Sequence, residues 1–388
     1  VKHTIQKAAK YARNRNSLDK QTHRKYISIM QDLIFTNAGD FLKSQQKRIG
    51  FACKYLHYNQ NEKPKILEEL QRPLTEKCTT VAWLNRQSRD VAEQRLWDIM
   101  EHNAAAAKRL VEYVGSLPPE LRMVRLGSNQ LPCATEPSWR YFWSLPDVVA
   151  YGEKAYAKVG ESARRLDVRL SMHPGQFTVL ASDNPEIVER SIEEFEYHAT
   201  LIRWMGYGKK FQDFKNNVHI SGRKGPAGIK AVLPRLSKEA RNTITIENDE
   251  VSWGLDASLE LADDLALVLD IHHHWVKTGE YIEPDDDRIG IIIDSWRGER
   301  PVIHYSLCRE TNLQNASASV RPDLDTLLES GHKKQKLRAH SDYCWNDACN
   351  EWALSHWEWA DIMVEAKMKN LASGQLYSIT EESKQLAA

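Results

Sequence analysis

Cysteine is scarce in this sequence. Six residues of that type, at 53, 78, 133, 308, 344 and 349, are spread over 388, and no CxxC pair occurs. Such spacing excludes a disulfide-built scaffold and thiolate zinc sites, and a reducing compartment is the expected setting. Long apolar runs are missing too. A membrane-spanning helix needs roughly 18 apolar residues, whereas the longest runs here, 265–269 and 289–293, are strand-sized. No GxGxxG or GxxxxGK[ST] follows the first candidate strand, which counts against a doubly wound nucleotide-binding sheet. Net charge is the last thing missing, with 53 Lys+Arg set against 53 Asp+Glu.

That balance is a sum of unlike parts. Residues 1–50 carry +8 and the remainder −8. The asymmetry fits a leader that meets nucleic acid or another anionic surface, and it equally fits a solvated leader. Tyr26, Ile27, Met30, Leu33 and Ile34 recur at helical spacing, so a basic, helical N-terminal extension is expected over 1–47. No acidic residue precedes Asp19, yet no cleavage signal follows. The expected location is cytoplasmic for a bacterial or viral chain, and nuclear or mitochondrial for a eukaryotic one.

What the sequence does contain is a repeated alternation. Short apolar or β-branched runs occur at 48–54, 122–127, 168–173, 217–221, 243–248, 266–271, 301–306 and 361–366. Helix-like stretches lie between them, at 91–114, 147–165, 185–205 and 256–265, with Asn184–Pro185 and Pro146–Asp147 as start signals. Eight strand–helix alternations predict a (β/α)8 TIM barrel over 48–372, followed by a tail over 373–388.

The ends of these runs carry the chemistry. His173, His219, Glu247, Asp270, His304 and Glu365 sit in or close the third to eighth runs. His272, His273 and His274 follow Asp270, and His340 precedes the eighth run. In a barrel the C-terminal strand ends converge on one face. Buried carboxylates and imidazoles are costly unless paired or bound to metal. Imidazole and carboxylate without thiolate suit Zn²⁺, Mn²⁺ or Fe²⁺. Clustered divalent ions serve hydrolysis, most naturally of a phosphodiester.

At these residues the chain resembles the UV damage endonuclease family. The matching segments include RIGFAC (48–53), VRLGSNQLP (124–132), LSMHPGQFTVL (170–180), IEND (246–249), DIHHH (270–274), IHYS (303–306), RAHSDY (338–343) and DIMVEAKMK (361–369). The resemblance implies a TIM-barrel enzyme that nicks duplex DNA 5′ to cyclobutane pyrimidine dimers and 6-4 photoproducts, and in some members to abasic sites. It implies two or three divalent ions, manganese first, with zinc, magnesium and cobalt as alternatives, and metal-activated hydroxide attack on phosphorus. Damaged double-stranded DNA is the expected partner, with no membrane and no obligate protein partner.

Carried over by position, the implied ligands are His173, His219, Glu247, Asp270, His273, His304, His340 and Glu365. Glu247 is the implied bridging and catalytic carboxylate. Strand alternation alone would pair Asp270 with His272, so His273 rests on family spacing. Asp342 is a candidate to orient His340. Gln176 and Phe177 match the pair that wedges into the damaged duplex, and Phe51 stands where the family often has Tyr. Arg223 and Lys224 read as phosphate contacts or as a solvated turn. Lys367 reads as a catalytic-side phosphate contact or a surface lysine. Val302 departs from the pattern, because many members place a lysine there. Two rival readings are a metal-dependent sugar isomerase on the same barrel and a non-catalytic lesion-binding homologue.

Overall fold

The computed structural model describes residues 46–313 and 316–387. The expected helical leader therefore lies outside the described residues, apart from its last two positions. The eight runs form eight parallel strands that close in sequence order into a barrel. They are β1 (Ile49–Ala52), β2 (Met123–Arg125), β3 (Arg169–Met172), β4 (Lys215–His219), β5 (Ile244–Glu247), β6 (Ala266–Asp270), β7 (Val302–Tyr305) and β8 (Asp361–Val364). The TIM-barrel reading thus holds.

Residue alternation sorts each strand between two environments. Ile49, Ile246, Leu269, Ile303 and Ile362 belong to the core between sheet and helices. Ala52, Met123, Ala266, Val268, Val302 and Met363 fill the barrel interior together. The surrounding helices include α1 (Arg89–Gly115), α2 (Pro146–Arg165) and α3 (Pro185–Trp204). On α1, Ala92, Leu96, Met100, Ala104, Ala107 and Leu110 are buried at spacings of three and four, the stripe a helix needs to pack on a sheet. Asn184 starts α3 by accepting a hydrogen bond from Glu186 N–H at 2.9 Å.

The strand-sized run 289–293 lies in a helix, α5 (Asp287–Ser295), which follows α4 (Ile271–Thr278). Ile289 and Ile292 are buried while Ile291 is exposed, so the period is helical. A short apolar run carries no periodicity of its own to reveal this. The boundary at 372 falls inside α6 (Lys369–Ala387). Ala372 and Leu376 of α6 join the main core, so the described residues 373–387 continue the closing helix. No described helix is long and apolar enough to cross a membrane.

Candidate metal centre and DNA-facing cleft

The C-terminal strand ends gather the expected ligands into three linked groups. His173, His219 and Glu247 form the first, Glu247, Asp270 and His273 the second, and Asp270, His304 and Glu365 the third. Within each group the ligand atoms lie within 4.8 Å of one another. Glu247 joins the first two groups and Asp270 the last two. His219 and Glu247 are directly paired across β4 and β5, and Asp270 and His304 across β6 and β7. Register therefore brings these residues together before any side chain is oriented.

The choice between His272 and His273 follows from where β6 ends. Asp270 is the N-cap of α4 and accepts a hydrogen bond from His273 N–H at 2.7 Å. Beyond Asp270 the period is helical, so His273 turns back over it. Its Nδ1 lies 3.4 Å from Glu247 Oε1. His272 instead meets Leu337 O at 3.1 Å, and His274 meets Glu280 at 2.8 Å. His340 belongs to none of the three groups, although Glu365 O meets its Nδ1 at 2.6 Å. That carbonyl takes the orienting contact expected of Asp342 and leaves Nε2 as the free ligand atom.

Asn217 donates to Glu247 Oε2, and Thr245 in turn donates to Asn217 Oδ1 at 2.7 Å. Arg125 donates to Glu365. Lys215 Nζ lies 2.7 Å from His304 Nε2, while His304 Nδ1 is 3.1 Å from Glu247 and 3.2 Å from Glu365. Arg125, Lys215 and Asn217 were not anticipated. Reading β4 from 215 would have found two of them, because Lys215, Asn217 and His219 alternate onto one face. Val302 stays in the apolar interior, so the cation beside His304 comes from β4.

Burial and charge act against each other here. Burial would raise the Glu247 carboxyl, but the charges of His304 and His219 and a hydrogen bond from His173 hold it well below its ordinary range. Burial pushes Asp270 up to about 8 against the pull of His273. His273 is raised to about 9, the carboxylates of Asp270 and Glu247 outweighing burial. Burial lowers Lys215 to about 7 and His304 to about 4.

Four buried ligand atoms, Glu247 Oε1, Asp270 Oδ2, His219 Nδ1 and His304 Nδ1, lack a hydrogen-bond partner among the described residues. Unsatisfied buried polar atoms are rare, and a bound ion is one of their ordinary explanations. Three of them come from the two shared carboxylates and the His304 ring between Glu247 and Glu365. The donor set fits divalent cations of the Zn, Mn or Fe type.

Beside this cluster opens a cleft of about 130 Å³, lined among others by His173, Gln176, Thr178, His219, Asp249, Glu250, His273 and Arg338. Gln176 is exposed, and Phe177 is 83% exposed. Phe51 is corrected. It is 1% exposed and packs under the helices with Leu84, Leu96 and Met100. In β1 the neighbours Gly50 and Ala52 take the interior side, so alternation turns Phe51 away from any substrate. Arg223 and Lys224 are exposed on the loop after β4, and Arg223 pairs with Asp183 at 3.1 Å. Lys367 is half-buried, and its backbone N–H donates to Ser341 O at 3.0 Å.

The parallel barrel thus brings clustered metal-type ligands together beside an open cleft. Residues 47–386 match the family model described as UV-endonuclease UvdE. A UV DNA damage endonuclease of Bacillus cereus (strain B4264) is 24% identical over 311 residues, covering 77% of this chain and 87% of that protein. The Bacillus anthracis enzyme of the same name is 24% identical over 306 residues, covering 76% and 86%. Among solved structures, the crystal structure of SacUVDE superposes with a TM-score of 0.65 at 21% identity, over 87% of this chain and 99% of that one. The chain belongs to the UV-endonuclease UvdE family and is a DNA-cleaving enzyme, a UV DNA damage endonuclease.

Proposed function

We propose that the protein nicks duplex DNA on the 5′ side of cyclobutane pyrimidine dimers, 6-4 photoproducts and abasic sites. The observation that carries this reading is the chain of three ligand groups beside a cleft whose rim bears exposed Gln176 and Phe177. His173, His219, Glu247, Asp270, His273, His304 and Glu365 would hold two or three divalent ions, manganese first, with His340 Nε2 at the edge. Such ions, when bound, would supply an ionised water and offset phosphate charge.

The chain's own residues do the rest. Asn217 fixes the Glu247 carboxylate, and the Asp270 cap fixes His273. Phe177 offers a ring face and Gln176 an amide to the gap left by an extruded lesion. A damaged step stacks poorly and costs less to open than an intact pair. Arg223 and Lys224 lie on a neighbouring loop, suited to the phosphate backbone. Lys367, three residues beyond β8, is the other cation proposed to meet a phosphate. In-line displacement at phosphorus leaves a 3′-hydroxyl and a 5′-phosphate.

Glu247→Gln tests the assignment. The amide keeps the shape and removes the charge shared by two groups. Loss of an outer partner of a ligand costs about 10–100-fold, so loss of a shared ligand should exceed about 100-fold in nicking of UV-irradiated plasmid. Folding, read by circular dichroism, should be retained. Nicking at the wild-type rate across a panel of divalent metals would overturn the assignment.

A further inference from the structure

The loop after β5 carries an anomaly. Val251 is 61% exposed, yet the turn that carries it is held by several hydrogen bonds. Asp249 Oδ1 accepts from the backbone N–H of Val251 at 2.7 Å and also from that of Ser252. Asp249 N–H donates to Trp253 O at 2.8 Å. Trp253 Nε1 donates to Gly222 O at 2.7 Å, stapling this loop to the one after β4. Lys277 Nζ donates to Ser252 O at 3.2 Å. Surface turns ordinarily place Gly, Asn, Asp or Ser at such tips. Here a stiff β-branched apolar side chain is held out in water.

We propose that Val251 is a second apolar contact to the damaged duplex, a wedge that works with Phe177. Both are sequence neighbours of residues that line the same cleft. Phe177 lies between Gln176 and Thr178, which line it, and Val251 directly follows Asp249 and Glu250, which also line it. The occupant this geometry suits is a base step or deoxyribose face of DNA. Small apolar side chains inserted at base steps unstack them and hold a kink. Holding the tip in advance removes the ordering cost that a mobile loop would add on binding. The same Asp249 reaches the metal-type ligands, since its Oδ2 lies 3.4 Å from His219 Nδ1. The turn's position is thereby tied to that of a ligand histidine.

This inference rests on the endonuclease reading, and its test separates the two. Wild type, Val251→Ala and Val251→Leu are compared on two Mn²⁺-supplemented substrates. One is a fully paired duplex with a single pyrimidine dimer. The other carries the same dimer opposite mismatched bases, so that the step is already open. Val251→Ala should lose about tenfold in kcat/KM on the paired duplex, equivalent to ~1.4 kcal/mol. It should recover to the wild-type rate on the opened one, and Val251→Leu should stay near wild type on both. Equal rates for Val251→Ala and wild type on the paired duplex would overturn the wedge. So would equal losses on both substrates, which would mark a structural effect passed through Asp249 to His219. Failure of the wild type to nick either substrate with any divalent metal would remove the endonuclease reading, and the wedge with it.

Discussion

Asp270 and His273 answer the same burial in different ways. The carboxyl is raised to about 8 because its charged form is desolvated. The imidazole is raised to about 9 because carboxylates surround it. Each charge shifts the other, so near pH 7 the pair as a unit keeps a proton that a cation must displace. Apparent affinity for a divalent metal should therefore rise as pH climbs through about 8 and about 9, and weaken below. Calorimetric titration of Mn²⁺ into the metal-free protein, in buffers of unlike ionisation enthalpy, should report net proton release. A heat independent of the buffer would contradict this charge assignment. The pair also shows where the sequence was readable and where it was not. Ligand types at successive strand ends could be read directly. His273 could not, because the choice between spacings of two and three depends on β6 ending at Asp270. Phe51 failed for a related reason. Family position suggested a substrate-facing ring, but alternation along β1 sends it outward under α1.

At the scale of elements, all eight strands were legible from runs of apolar residues, with edges a residue or two long or short. β4 was the instructive exception. Its first residues, Lys215 and Asn216, look like loop, and only the interior of a barrel with a polar upper layer gives a buried lysine a place in a strand. The loop after β4 is equally dependent on its neighbours. Gly222 has φ +96°, and a Cβ there would lie 2.4 Å from the backbone carbonyl of Ala181. Its own carbonyl receives Trp253 Nε1. Gly222→Ala combines left-handed strain with a clash against backbone that has no rotamer to escape into. A loss of about 1–3 kcal/mol is expected. Urea unfolding should show a lower midpoint with an unchanged slope. An unaltered midpoint would mean that the turn relaxes freely and that the staple between the two loops is weak.

The whole molecule divides its charged interior between two ends. At the C-terminal end, carboxylates outnumber their fixed cations and leave unpartnered ligand atoms. At the N-terminal end the balance is reversed. The fully buried Asp361, which opens β8, accepts from Arg48 N–H at 2.8 Å, Arg300 Nε at 2.8 Å and Arg169 at 2.7 Å. One carboxylate thus pairs with two guanidinium groups, which also donate to backbone carbonyls, and ties β1, β3 and β8 together below the apolar interior layer. In barrels of this kind the C-terminal face carries chemistry and the opposite face stability. Asp361→Asn keeps the shape and removes the carboxylate charge that faces both guanidinium groups. Removing one partner of a buried ion pair costs about 3–5 kcal/mol. Arg169 retains some solvent contact, with its side chain 20% exposed, so the lower end of that range, about 3 kcal/mol, is expected. Urea denaturation measures this loss. Mn²⁺ affinity and nicking rate, taken at a temperature where the variant remains folded, should match the wild type, because the apolar layer of Met123, Val268, Val302 and Met363 separates the two ends. A selective fall in metal affinity with little loss of stability would show that the two charged layers communicate through the barrel, and that the division between them does not hold.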